Sequence, residues 1–90
     1  MPTIRRRLTV SGRVQGVFFR DSAKAQADML GIKGWAKNLP DGSVEIVAEG
    51  DANAVERLAR WCREGSTRAK VTGVASVTEV PEGLGSFRAI

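Results

Sequence analysis

The stretch VSGRVQGVFFRDSAKA, Val10 to Ala25, sets Gly12, Gly16 and Arg20 between an alternating apolar run and an alanine-rich run. Glycine lets a main chain take positive φ and lets a ligand approach it closely. A loop that enters a helix turns free N–H groups outward, and the helix dipole adds positive potential there. Successive N–H groups along a curved loop form an anion nest. Arg20 stands where such a helix would begin, and its planar fork can grip two oxygens of one phosphate. The stretch therefore has the parts of a phosphate cradle closed by a guanidinium. An ordinary strand-to-helix loop with a surface arginine would have the same composition. The loop is not a P-loop, because no Gly-Lys-Ser/Thr follows, and GRVQG lacks the glycine spacing of a dinucleotide fingerprint.

The rest of the composition narrows the chemistry. There is no histidine, which removes the commonest general base, phosphohistidine nucleophiles and most zinc sites. Cys62 and Arg68 in CREGSTR have the C-x5-R spacing of cysteine-dependent phosphatases. Cys62, however, falls on an apolar stripe near the end of a helix, where the dipole raises a thiol pKa. It reads as a core thiol. Arg5, Arg6 and Arg7 could form a nucleic-acid patch, but a solvated strand face or edge guard is the plainer reading. Asp21 could look like a base, and first-turn dipole stabilisation accounts for it. Phe18 and Phe19 could stack bases; we expect Phe19 to pack on Ala23 and Phe18 to anchor the loop on a sheet. Trp61 reads as a half-covered residue at a helix edge.

The elements that must position these residues follow from periodicity. Ile4, Leu8 and Val10 share one parity, which predicts a strand over Thr3 to Gly12. Ala23, Ala27 and Leu30 predict a helix from Asp21 to Leu30, with Phe19 one turn earlier and Gly31 as its stop. GWAKNL and SVEIVAEG are two strands joined by a Pro40-Asp41-Gly42 turn, with Val44, Ile46 and Ala48 inward and Glu45 and Glu49 outward. Asp51 can cap the next helix, with Asn53 and Glu56 a rival capping box. Its stripe is Val55, Leu58, Ala59 and Cys62. AKVTGVASVTEV is a strand whose parity slips near Gly73, as at a bulge, and GSFRAI adds room for a short last strand.

The order β-α-β-β-α-β predicts an α+β, ferredoxin-like sandwich: two helices on one face of an antiparallel sheet, plus a short fifth strand. Residues 1–90 are expected to form a single domain, since a chain of 90 residues supports one core. An apolar content of 42% with 27% charged residues is that of a soluble protein, and no run approaches a membrane span. MPTIRRRLTV lacks the apolar core of a secretory signal, and one cysteine forms no internal disulfide, so a cytoplasmic location is expected. A net charge of +4 favours anionic partners without naming one. The fold hosts enzymes, metal carriers and RNA binders alike.

VSGRVQGVFFR followed by GWAKN resembles the acylphosphatase family, which pairs a GRVQGVxFR cradle with a GWVxN-type strand. The likeness runs from Leu8 through GSFRAI, and the two motifs together are highly specific. It implies the ferredoxin-like fold and hydrolysis of the carboxyl–phosphate bond of small acyl phosphates by a monomer, without metal or cofactor and with no nucleic-acid or membrane partner. Carried over by position, Arg20 resembles the substrate-binding arginine and Asn38 the catalytic asparagine. The main chain of Gln15, Gly16, Val17, Phe18 and Phe19 matches the phosphate-binding loop. Ala36 and Lys37 replace commoner Val and Arg, and Ser66 and Thr67 stand where the family usually has proline.

That chemistry suits a chain without histidine. The leaving carboxylic acid has a pKa of roughly 4, so it departs unprotonated and needs no general acid. The demands are charge stabilisation on the phosphoryl group and placement of a water. Arg20 and the loop amides meet the first, and the Asn38 carboxamide can orient the water. Strand parity leaves two orientations. Trp35, Lys37 and Leu39 share one face, and Ala36 and Asn38 the other. Hydrophobicity would put Trp35 and Leu39 under the helices, whereas function puts Asn38 there; we adopt the second. The competing class is a non-enzymatic phosphate- or RNA-binding module, which would need exposed aromatics on its central strands. SVEIVAEG has none, and tyrosine is absent.

Overall fold

The computed structural model describes residues 2–90. In chain order the elements are β1 (Thr3–Arg13), α1 (Phe19–Leu30), β2 (Lys33–Asn38), β3 (Val44–Asp51), α2 (Ala52–Glu64), β4 (Lys70–Glu79) and β5 (Phe87–Ala89). They build one five-stranded sheet in the order β4-β1-β3-β2-β5. The first four strands pair antiparallel, as expected, but β5 runs parallel to β2, so the sheet is mixed rather than wholly antiparallel. The bulge expected near Gly73 is present: Ser11 pairs with Gly73 and Gly12 with Val71, leaving Thr72 over.

Both helices lie on the sheet face that carries the apolar parity. Leu8 and Val10, Val44, Ile46 and Ala48, and Ala36 meet Phe19, Ala23 and Ala27 of α1 and Val55, Leu58 and Cys62 of α2 in one buried cluster. Helix α1 stops at Gly31, and Ile32 returns its N–H to Ala27 O at 2.9 Å while its side chain is buried against the last turn. Helix α2 begins at Asp51, whose carboxylate accepts from the N–H groups of Asn53 and Ala54. Asp51 is thus the cap, and the Asn53 alternative is not used.

The opposite face departs from the expectation of a solvated surface. Arg5 and Glu49 are each only 3% exposed. Arg5 donates to Glu79 at 2.8 Å and to Glu49 at 3.0 Å, and Arg7 donates to Glu79 at 2.7 Å and Glu45 at 2.6 Å. The segment after β4 covers this face, because Glu49 also accepts from the N–H groups of Glu82, Gly83 and Leu84. Arg5 therefore cannot be an edge guard: β1 is an inner strand, and Arg5 and Arg7 are matched to carboxylates across both neighbours. Only Arg6, on the helix face, pairs outward, with Glu56. Trp35 lies on the same side as Arg5, whose guanidinium sits 5.3 Å from its ring, and donates to Glu45 at 3.0 Å.

Burial pushes the Glu49 carboxyl up, but the three N–H groups and Arg5 outweigh it and hold the pKa below the ordinary value. Arg7 and Arg5 lower that of Glu79. A carboxyl depressed on folding stabilises the native state above its unfolded pKa of roughly 4.3, and that contribution fades as pH falls through the lower folded value. Glu49→Gln is expected to cost about 3 kcal/mol at neutral pH, since it leaves the buried Arg5 charge partly uncompensated. Urea unfolding at neutral and acidic pH should show a flatter pH dependence for the variant than for the wild type. Parallel curves would remove Glu49 from the account.

Candidate active site

The connection between β1 and α1 is anchored from below and open above. The side chains of Val14, Val17 and Phe19 are buried in the core. Phe19 packs on Ala23's helix face and stacks against Trp61, with ring centroids 5.2 Å apart. Between these anchors the main chain curls: Gly16 has φ 74° and Phe18 φ 60°. Positive φ is unusual for a bulky residue. Alternation of this kind turns successive N–H groups to one side. No acceptor among the described residues takes the N–H groups of Gln15 through Arg20, and α1 has no side-chain cap. The chain caps α2 with Asp51 and leaves α1 open.

The open end faces a cavity of about 320 Å³ lined by Val14, Gly16, Phe18, Phe19, Arg20, Asp21 and Asn38. Arg20 and Asn38, eighteen positions apart in sequence, thus line one space. Asn38 is there because Ala36, two residues earlier on the same parity, is wholly buried under the helices while Trp35 takes the far face. The bulk argument for Trp35 fails because its indole has Arg5, Arg7 and Glu45 as partners on the far face. The Asn38 Oδ1 atom is buried and accepts no hydrogen bond. An unpartnered buried acceptor costs about 1–3 kcal/mol, which makes this atom a candidate acceptor for a ligand or water.

Of the expected loop residues, Gly16, Phe18 and Phe19 border the cavity. Val17 does not; its side chain is in the core. Gln15 does not line it either; its side chain turns away and donates to Leu39 O at 2.8 Å and Ser43 O at 2.9 Å. This ties the loop to the turn that follows Asn38. Phe18 differs most from expectation. It does not anchor the loop on the sheet; it is 71% exposed, because its positive φ throws the ring outward.

Three positioning groups were missed from sequence. Ser66 Oγ donates to Val17 O at 2.6 Å and so holds the loop from the α2–β4 side. Arg20 Nη1 donates to the main-chain oxygen of Ile90, whose own N–H bonds Ala36 O at 2.8 Å. The last strand thus sets the guanidinium against β2. The third is the Gln15 side chain. The Ser-Thr pair in place of proline could have flagged Ser66, since a hydroxyl in a tight loop seeks a carbonyl. A main-chain acceptor such as Ile90 leaves no side-chain signal.

Among the described residues no group of three or more His, Cys, Asp or Glu could hold a metal ion. Among the described residues no helix is long and apolar enough to cross a membrane.

Residues 6–88 match the Acylphosphatase family. A relative named acylphosphatase from Rubrobacter xylanophilus is 57% identical over 84 residues, covering 93% of this chain and 76% of the relative. The solved acylphosphatase of Coxiella burnetii superposes with a TM-score of 0.94 at 41% identity, covering 98% of this chain and 93% of that one. That of Bacillus subtilis gives 0.94 at 39% identity, covering 97% and 98%.

The rival phosphatase arrangement does not assemble. Cys62 is wholly buried on α2, and burial pushes its thiol up to about 12. Arg68 borders a different groove, which Cys62 does not line. Cys62→Ser should leave acyl phosphate turnover within about twofold while lowering the unfolding free energy from urea titration by about 1–3 kcal/mol, the cost of a buried hydroxyl without an assured partner. A folded variant without turnover would reinstate the thiolate.

Proposed function

The chain belongs to the acylphosphatase family, and we propose that Arg20, Asn38 and the loop N–H groups from Gln15 to Phe19 carry out its reaction. That reaction is hydrolysis of the carboxyl–phosphate bond of a small acyl phosphate, giving a carboxylate and inorganic phosphate. The observation that supports these assignments is the shared cavity. Arg20, an uncapped helix start and Asn38 all border it, and the Asn38 Oδ1 atom has no partner among the described residues.

The phosphoryl oxygens accept from the curled main chain and from the Arg20 fork, which remains tied at one nitrogen to Ile90. A helix start favours the same negative charge. Water donates a hydrogen bond to Asn38 Oδ1 and presents its oxygen to phosphorus. The new P–O bond forms as the P–O bond to the acyl group breaks, and that electron pair leaves on the carboxylate. The water's proton passes to a phosphate oxygen, so no side chain has to act as a strong base. Stabilisation of charge and placement of water then account for the rate.

One sheet with a single apolar cluster supports one domain over residues 1–90. The free, buried Cys62 is consistent with a cytoplasmic setting, and a cavity with all its working groups on one chain is consistent with a monomer. Against a nucleic-acid partner, Trp35 lies under Arg5 and Arg7 rather than free for stacking.

The test is hydrolysis of a simple acyl phosphate in the presence of chelator, with a phosphate monoester as control. Turnover of the first alone is expected, and absence of turnover would overturn the reading. Arg20→Ala should weaken inorganic phosphate binding by about 10- to 100-fold, the worth of one charge-assisted hydrogen bond, with the fold intact by circular dichroism. Calorimetry showing unchanged affinity would count against the cradle. Asn38→Ala should lower kcat by about a hundredfold or more with little change in phosphate affinity.

A further inference from the structure

We propose that the groove on the far side of Phe18 receives the acyl end of the substrate and selects acyl groups that carry a second anion. The inference rests on the acyl phosphate reading above and extends it to the part of the substrate that the cradle does not touch. The groove has a volume of about 210 Å³ and is lined by Val17, Phe18, Ser22, Ser66, Thr67 and Arg68. It lies between the cradle loop and the connection from α2 to β4, which Ser66 ties together.

Phe18 borders both spaces, the cradle cavity and this groove. Its exposed ring is the ridge between them. An acyl chain that leaves a phosphoryl group held at the loop and crosses the ridge therefore enters the groove. The strained φ of Phe18 is what raises the ridge.

The walls are of one sign. Arg68 is the charged residue among them, and no carboxylate lines the groove. Arg5, Arg6 and Arg7 of β1 are each matched to glutamates, whereas Arg68 makes no ion pair among the described residues. The Ser66 hydroxyl is engaged with Val17 O, but the hydroxyls of Ser22 and Thr67 have no partner among the described residues. A guanidinium and two free hydroxyls beside an aromatic ridge fit a short apolar spacer ending in a carboxylate or phosphate. Such an anion accepts bidentate hydrogen bonds from the Arg68 fork.

Succinyl phosphate and butyryl phosphate, matched in length but differing in a terminal carboxylate, provide the test. High ionic strength screens long-range attraction and leaves contact pairs. The wild type is expected to favour succinyl phosphate in kcat/KM by about tenfold, mainly through KM. Arg68→Gln should bring the ratio of the two close to one, and Arg68→Lys should restore part of it. A wild type without preference, or a variant that loses both substrates equally, overturns the inference. If the wild type hydrolyses butyryl phosphate without favouring succinyl phosphate, the groove assignment alone fails. If it hydrolyses neither, the acyl phosphate reading fails and takes the inference with it.

Discussion

The main-chain donors from Gln15 to Arg20 have no acceptor among the described residues, and the architecture around them keeps it so. A free loop would relax until those N–H groups met carbonyls or a cap. This one is pinned at each step. Val14, Val17 and Phe19 are sunk in the core, Ser66 holds the Val17 carbonyl, and Gln15 grips Leu39 and Ser43. Gly65 belongs to the same scaffold. Its φ is 75°, and a Cβ there would come within 2.7 Å of the Phe19 ring, so the ring stays seated only if that position has no side chain. Side chains provide the rigidity and leave the main chain free to face the cavity.

The two faces of the sheet divide the work. The helix face is apolar until its end, where Asn38 emerges beside the loop. The other face is ionic and covered, with Glu49 joining Arg5 to the segment after β4. That segment leads into β5, and β5 ends at the oxygen that orients Arg20. The buried charges are thus connected to the site through the chain path itself. An ion pair of this kind adds little net stability over an apolar pair, but it discriminates strongly against misaligned strands. A one-residue slip of β3 would carry Glu49 into the helix side and Ala48 out of it.

Much of this was legible in the sequence because it depends on local pattern. The elements, the Asp51 cap, the Gly31 stop and the α2 stripe follow from periodicity and end signals. The Gly73 slip was readable as a parity break. What was not legible depends on partners distant in the chain. Arg5 and Glu49 look like solvated charges until the segment of residues 80–86 covers them. Phe18 looks like an anchor because aromatic residues usually are; only its positive φ turns it outward. The parallel direction of β5 depends on which side of β2 it reaches, and local pattern does not specify that. For Asn38, hydrophobicity pointed the wrong way, since Trp35's indole is accommodated by cations on the far face.

The polarity of the cavity explains why a carboxamide, and not another donor, stands opposite Arg20. The loop N–H groups and the guanidinium are all donors, suited to phosphoryl oxygens. A water held by those same donors would lend out its lone pairs and could not offer them to phosphorus. An attacking water needs an acceptor for its hydrogen, so that its lone pair is left free. Asp21 could accept, but its full negative charge beside a phosphoryl group would repel the substrate. A neutral oxygen avoids that repulsion. Asn38, which lines the cavity and whose buried Oδ1 has no donor among the described residues, has such an oxygen. In the proposed mechanism the carboxylate leaving group needs no proton, so an arginine, an asparagine and a shaped main chain would suffice without histidine.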